Sequence, residues 1–262
     1  MAEDTARIAG LYRYPVKGLT PEPLQSVSVA PGGTFPADRA YAIENGPSGF
    51  DPAAPRHLPK SRFLMLMRDE RLAALDARFD DARETLTIRH DGAVAVSDSL
   101  ATPEGRRAIE AFFEDFARDA LRGPARVLHV AGFSFSDVAA KVVSLINLES
   151  VRDLGSRLGV AVNPLRFRGN LLVEGLPAWS ELDLVGRRVR VGGVVLEGVD
   201  RIVRCAATNV DPVTAERDLA IPRALQELYG HGDCGTYFRV VEGGTMRVGD
   251  AVVPEGGPDP AP

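Results

Sequence analysis

The stretch Arg187-Arg188-Val189-Arg190-Val191-Gly192-Gly193-Val194-Val195-Leu196 decides the fold. It reads as two short strands, Arg187 to Val191 and Val194 to Leu196, joined by a two-glycine turn of the kind a tight hairpin requires. The same grammar of short apolar runs cut by Gly, Pro or Asn turns extends in both directions.

Towards the C-terminus, the strand-like run continues from Val194 to Val203. A short helix, Pro222 to Tyr229, stops at Gly230. Tyr237 to Val241 and Thr245 to Val248 read as a last hairpin across Gly243-Gly244. The tail 254–262 is rich in Pro and Gly and is expected to be disordered.

Towards the N-terminus come a strand from Phe167 to Val173 and a helix over Leu148 to Leu158, with Val151 and Leu154 on its inner face and Gly159 as its stop. A further strand lies near Arg126 to Val130. The clearest helix begins at Thr102 as N-cap with Pro103 at its first position, where a missing N–H costs nothing. Ile109, Phe112, Phe113, Phe116 and Ala120 form its apolar stripe, and Gly123-Pro124 is its expected stop. Before it, Leu72 to Phe79 and Thr85 to Arg89 flank an Asp80-Asp81 turn, and 46–59 reads as a loop. Strands over Arg7 to Tyr14, Leu24 to Val29 and Arg39 to Ile43 end at Pro15, Pro31-Gly32-Gly33 and Asn45-Gly46. Many short strands with few helices predict a mainly β (α+β) chain of barrel type, not a doubly wound α/β sheet.

Composition narrows the function. The 262 residues are 45% hydrophobic and 26% charged, which is ordinary for a globular chain. A formal net charge of -5 gives no reason to expect nucleic acid, so any anionic ligand must be met by local clusters of Arg and Lys. Two cysteines, Cys205 and Cys234, are too few for a disulfide framework, a four-cysteine zinc site or an iron–sulfur cluster. No apolar run approaches the roughly 20 residues of a membrane-spanning helix. The acidic N-terminus lacks the apolar core of a secretory signal, so a cytoplasmic location is expected.

The segment richest in chemistry is Arg204-Cys205-Ala206-Ala207-Thr208-Asn209-Val210-Asp211-Pro212, placed where a strand gives way to a loop. Thiolate is the reactive and metal-binding form of cysteine, and an adjacent guanidinium favours it. The residues alone leave Cys205 open between a metal ligand and a buried small hydrophobe. Arg166, Arg168 and Asn170 alternate along the expected strand and therefore share one face. That face lines either a polar cleft or solvent. Lys60-Ser61-Arg62 would add positive charge at the mouth of such a cleft. Cys234 reads as a packed thiol, and the four histidines show no metal-ligand spacing.

Five ordered segments carry a resemblance. Tyr14-Pro15-Val16-Lys17-Gly18 resembles Tyr-Pro-Val-Lys-Ser, and Asp38-Arg39-Ala40-Tyr41 resembles an Asp-Arg-aromatic segment. Arg166-Phe167-Arg168-Gly169-Asn170 is similar to Arg-Phe-Arg-Pro-Asn, and the Cys205 segment to Arg-Cys-x-x-Thr-x-Val-Asp-Pro. Gly244-Thr245-Met246-Arg247-Val248-Gly249-Asp250 resembles Gly-x-Ile-x-Val-Gly-Asp. These patterns belong to the MOSC family, named for the C-terminal domain of molybdenum cofactor sulfurase. They fit its two-part members, which include the amidoxime-reducing proteins. The resemblance implies an N-terminal β-barrel-like domain over 1–122 and a MOSC-type β-barrel with flanking helices over 123–253.

It also implies a molybdenum cofactor, Mo-molybdopterin, with Cys205 as catalytic residue and metal ligand. Lys17 and Arg39 match positions approaching the cofactor's phosphate and pterin, although for the residues alone a solvated charge serves as well. Arg166, Arg168, Asn170, Arg204, Thr208 and Asp211 complete the expected cofactor-binding set, with Asp211 open between a turn role and cofactor contact. The implied activity is reduction of an N-hydroxylated or N-oxide-type small-molecule substrate. Electrons would come from a separate flavin, haem or ferredoxin-type reductase. The alternatives are a sulfur carrier with a persulfide on Cys205 and a non-catalytic cofactor-binding module. Three departures stand out: Gly18 for Ser loses a hydroxyl, Gly169 for Pro is expected to loosen its strand, and Ala207 replaces a common Thr.

Overall fold

The structure, a computed structural model, describes residues 6–255. It starts with strands β1 (Arg7–Arg13), β2 (Glu22–Leu24), β3 (Ser26–Val29) and β4 (Tyr41–Asn45). A meander of β5 (Asp76–Asp80), β6 (Thr85–His90) and β7 (Ala93–Ser99) leads into helix α1 (Pro103–Phe116). Then come β8 (Ala125–His129), β9 (Val143–Asn147), α2 (Leu148–Leu158) and β10 (Leu171–Glu174). The remaining elements are β11 (Arg188–Val191), β12 (Val194–Val203), α3 (Ile221–Tyr229), β13 (Asp233–Glu242), β14 (Gly244–Arg247) and β15 (Val252–Pro254). The mainly β architecture expected from the turn grammar is the one observed.

One sheet runs in the order β15-β11-β12-β13-β9-β10-β1-β2. It curls until the β15 end meets β1: Ile8 N–H donates to Asp250 O at 2.9 Å, Gly249 N–H to Ile8 O at 2.8 Å and Val252 N–H to Ala6 O at 2.7 Å. Such closure leaves few unpaired backbone groups along the strands. Alternation then sorts the side chains. Val143, Leu145, Leu171, Val173, Phe238 and Val240 fill the barrel, while Ile146 and Leu172 point outward beneath Val151 and Leu154 of α2 and Ile221 and Leu225 of α3. Each fully buried aliphatic side chain contributes about 1.5–3 kcal/mol.

A second core forms around β4–β8, the β5-β6-β7 meander and α1, whose Ile109 and Phe113 are wholly buried beside Leu72, Leu86 and Ile88. Thr102 caps α1 as its sequence predicts, its hydroxyl accepting from Gly105 N–H at 3.0 Å. Strands cross between the two parts of the chain. β1 and β2 extend the barrel sheet, β3 pairs with β14, and β8 pairs with β4 from Tyr41↔His129 to Asn45↔Ala125. No described helix is long and apolar enough to cross a membrane.

Several local expectations are corrected. β13 and β14 do not form a hairpin: β13 pairs with β12 and β9, and β14 with β3. Gly243 and Gly244 instead mark close backbone approach, since a Cβ there would lie 2.7 Å from Val29 O and 2.4 Å from Gly193 O respectively. The strand expected over Leu24 to Val29 divides at Gln25 into β2 and β3, which belong to different sheets. The strand expected from Phe167 begins only at Leu171. Asn163 accepts from Leu165 N–H at 3.0 Å and starts a 3-10 turn over Pro164–Phe167, after which Arg168 turns left-handed with φ 51°. Strand alternation therefore does not place Arg166, Arg168 and Asn170 on one face. Helix α1 ends at Phe116, before Gly123-Pro124. Of the tail expected to be disordered, Pro254 lies in β15 and Glu255 N–H donates to Arg188 O at 2.9 Å; 256–262 lie outside the described residues.

Candidate functional site

A cavity of about 350 Å³ opens where the barrel meets the second core. That volume falls in the range of small-molecule and cofactor pockets. Its wall comes from the loop after β1 (Lys17, Gly18), the turn before β4 (Asp38, Arg39), residues 60–67, residues 136–144, residues 166–170 and the end of β12 with the loop beyond it. Seven basic side chains line it (Lys17, Arg39, Lys60, Arg166, Arg168, Arg201, Arg204) against three acidic ones (Asp38, Asp137, Asp200). The chain as a whole carries a net charge of -5, so this concentration of positive charge is local. It is the electrostatic signature of an anion site.

Cys205 stands just beyond β12. Arg204 N–H makes the last rung, to Gly232 O at 2.8 Å, and extended backbone at Cys205 then begins a 3-10 turn over Ala206–Asn209. Thr208 closes that turn, its N–H and hydroxyl both donating to Cys205 O, at 3.0 and 2.9 Å. From behind, Arg166 clamps the loop, with Nη1 donating to Asn209 O at 3.0 Å and Nη2 to Asp211 at 2.6 Å and Asp218 at 2.7 Å. Asp211 also accepts from the N–H groups of Val213 and Thr214, at 2.7 and 3.0 Å. Burial would raise its pKa, but these two amides and Arg166 hold it below the usual carboxylate value. The Cys205 thiol is half-buried and unbridged. Lys60 faces it: burial alone would lower the Lys60 pKa, but Asp137 and the Cys205 sulfur together raise it. Cys234 is different, fully buried beneath the outer helices, with its thiol pushed up to about 12 by burial. It is the packed thiol that the sequence suggests.

The opposite wall is built on Tyr14. Its ring is buried, and the guanidinium carbons of Arg39 and Arg168 each lie 4.2 Å from the ring centroid. Arg39 is held by Asp38 at 2.5 and 2.7 Å and donates to Arg168 O at 2.9 Å. Arg168 donates to Leu19 O at 2.8 Å, and among the described residues it has no carboxylate within ion-pair distance. Burial first, then the like charge of Arg39, push its pKa down to about 10, so it stays cationic at neutral pH. Most of its N–H donors remain available to a ligand. Lys17 lies deeper, 6% exposed at its side chain, and donates to Phe135 O at 2.8 Å and Asp137 at 2.5 Å.

Eight of the expected residues therefore share one cavity: Lys17, Arg39, Arg166, Arg168, Asn170, Arg204, Cys205 and Thr208. Asp211 does not line it and reaches Cys205 only through the loop. Two lining residues have their polar groups committed inward. Arg204 donates to Phe167 O at 2.8 Å and to Cys234 O at 2.7 Å, and Asn170 joins Ser144 to Tyr12 O. Sequence reasoning passed over Asp137 and Tyr237, which both line the cavity, and Tyr14 as a platform; Lys60 was read only as part of a basic run. Two of the three departures also acquire reasons; that of Ala207 has no structural explanation. Gly18 has φ +86°, and an added Cβ would sit 3.1 Å from Leu64 O. Gly169 does not loosen a strand: a Cβ there would meet Ile146 Cγ1 at 2.4 Å, so glycine lets two buried segments touch.

Fold and site together define a β-barrel protein with a cavity rich in basic side chains and a thiol in its wall. Residues 5–123 match the MOSC N-terminal beta barrel domain and residues 128–253 the MOSC domain. The chain belongs to the MOSC family, among members that carry both domains. Mitochondrial amidoxime-reducing component 1 of Mus musculus is 33% identical over 131 residues, covering 45% of this chain and 37% of that protein. Molybdenum cofactor sulfurase of Caenorhabditis briggsae is 35% identical over 105 residues, covering 39% of this chain and 15% of that protein. The matched stretch thus spans well under two thirds of either relative. The crystal structure of the YuaD protein from Bacillus subtilis aligns over 95% of this chain and 94% of its own, at 14% identity and a TM-score of 0.43.

Proposed function

We propose that the cavity holds a molybdenum–pterin cofactor and that the protein, so loaded, reduces N-hydroxylated or N-oxide-type small molecules. The observation that carries this reading is the meeting of one half-buried thiol with seven basic side chains in a single cavity of about 350 Å³. Thiolate is a soft ligand, suited to a metal that arrives already held by sulfur. No group of three His, Cys, Asp or Glu side chains suited to a metal ion lies among the described residues. A metal held at Cys205 therefore brings its other ligands with it. The phosphate of the pterin would be held by Lys17, Lys60 and the free donors of Arg168, all of which line the cavity, while Arg39 braces Arg168 through its carbonyl. Arg166, Thr208 and Asp211 hold the Cys205 loop in place. When bound, the cofactor supplies two-electron oxygen-transfer chemistry, and the protein supplies orientation and charge. Electrons come from a separate flavin, haem or ferredoxin-type reductase. The relatives named as amidoxime-reducing components support the reductase reading.

Protein purified from a host that makes the cofactor is expected to contain molybdenum, to reduce an amidoxime with an artificial electron donor, and to lose both properties in Cys205→Ala. Metal-free wild type from such a host would sink the proposal. Metal without reduction would leave a cofactor-binding module. The sulfurase relative favours one second reading, a persulfide carrier at Cys205. Intact-mass measurement separates the two, because a sulfur adduct on Cys205 in place of bound pterin marks the carrier.

A further inference from the structure

The segment 131–142 between β8 and β9 has no regular structure, yet it delivers a carboxylate into the basic cavity. Phe135, 3% exposed, fixes the segment in an aromatic cluster with Phe50, Phe63 and Phe133 at centroid distances of 5.1, 5.5 and 5.0 Å. Two residues further on, Asp137 Oδ1 accepts from Lys17 Nζ at 2.5 Å and Oδ2 accepts from Lys60 Nζ at 3.2 Å. One carboxylate bridges two ammonium groups that reach it from separate loops.

The three side chains are not equally free. Lys17 is 6% exposed and also tied to Phe135 O, whereas Lys60 is 30% and Asp137 45% exposed. The buried cation is fixed, and its counter-ion can rotate into solvent. Leaving Lys17 buried without an anion would be strongly destabilising. Two oxygens of a phosphate group offer the lysines the same acceptor chemistry and the same sign of charge as the two oxygens of Asp137. Both anions cannot occupy the place between the two ammonium groups, because like charges so close repel. The two lysines together carry two positive charges, which a dianionic phosphate matches and a single carboxylate leaves half compensated.

We infer that Asp137 is an internal counter-ion which an incoming phosphate monoester displaces from Lys17 and Lys60, so that Asp137 sets how tightly the cavity holds that anion. The inference rests on the proposed function in taking these lysines as the phosphate end of the site. It adds that affinity there is limited by a group of the protein's own. The Asp137 carboxylate keeps the site assembled and excludes weak or singly charged anions. The ligand admitted is one whose charge outcompetes it.

Inorganic phosphate is the probe. Titration calorimetry at constant ionic strength, balanced with sodium chloride, compares wild type with Asp137→Asn and Asp137→Glu. Asp137→Asn is expected to bind phosphate at least ten-fold more tightly than wild type, and Asp137→Glu, which keeps the charge, no more tightly. Equal or weaker binding by Asp137→Asn overturns the inference, as does an equal gain in Asp137→Glu or undetectable binding by all three proteins. Thermal unfolding with and without phosphate provides a second readout should Asp137→Asn fold poorly. Its midpoint is expected to start lower than that of wild type and to rise further on adding phosphate; a smaller rise counts against the inference. The molybdenum content of wild type is measured separately, so failure of the cofactor reading leaves the phosphate comparison interpretable.

Discussion

Replacing Arg166 with Met removes a charge at nearly constant volume from beneath the loop that presents Cys205. The Arg166 side chain is 1% exposed and joins Asn209 O, Asp211 and Asp218. Truncating one partner of a fully buried pair typically costs about 3–5 kcal/mol. Three features reduce that figure. Asp218 is 42% exposed and is hydrated without its partner; Asp211 keeps the amides of Val213 and Thr214; and Arg166 Nε is already buried without a hydrogen-bond partner. A loss of about 2–3 kcal/mol remains, which for a chain of this size lowers the melting midpoint by roughly 4–10 °C. Urea unfolding of wild type and Arg166→Met at pH 7 measures it, and iodoacetamide labelling of Cys205 is expected to quicken several-fold as the loop loosens. The pH dependence follows from Asp211, whose folded pKa lies below its ordinary 3.8. A depressed carboxylate pKa gives stability that is full above the unfolded value and lost as pH falls through the folded one. The gap between wild type and variant should therefore shrink below about pH 4. A loss under about 0.5 kcal/mol at pH 7 with an unchanged labelling rate would refute the view of Arg166 as the clamp on this loop.

Gly18→Ser restores the residue type of the resembling motif but places a side chain at φ +86° against Leu64 O, so about 1–2 kcal/mol of destabilisation is expected in chemical unfolding. Gly169→Ala forces a Cβ to within 2.4 Å of Ile146 Cγ1 and should cost about 1–3 kcal/mol in chemical unfolding. Native protein at pH 8 should take up alkylating reagent at Cys205 and not at Cys234, whose thiol burial pushes up to about 12. Peptide mapping that finds Cys234 labelled in folded protein would contradict its placement.

Fold class was legible because turn residues punctuate this chain so regularly, and Thr102-Pro103 marked the start of α1 before any geometry was known. Pairing was less legible. β9 is buried along its whole length, which erases the alternation by which a half-exposed strand is recognised. Gly243-Gly244 looks like a turn because close backbone approach and tight turning demand the same residue. The site was read in part for the wrong reason. Arg166 and Arg168 do reach one cavity, by way of a 3-10 turn and a left-handed residue and not by strand alternation. Asp137 could not be found from sequence, because it sits in an irregular loop with no motif and gains meaning only from two lysines distant along the chain.

The exchange of strands between the two parts of the chain bears on how the protein could be cut. A fragment beginning after α1 would lack β1, leaving the backbone edge of β10 bare and the barrel open, and would lack β3, the partner of β14. An exposed edge of this kind recruits other strands and aggregates. A break within the 46–59 loop instead keeps β1 to β4 on a single piece whose strands pair with β10, β14 and β8. Two such pieces, produced together, are cast as reciprocal donors of strands, and this barrel is suited to reassembly from a short and a long piece, neither of which can complete it alone.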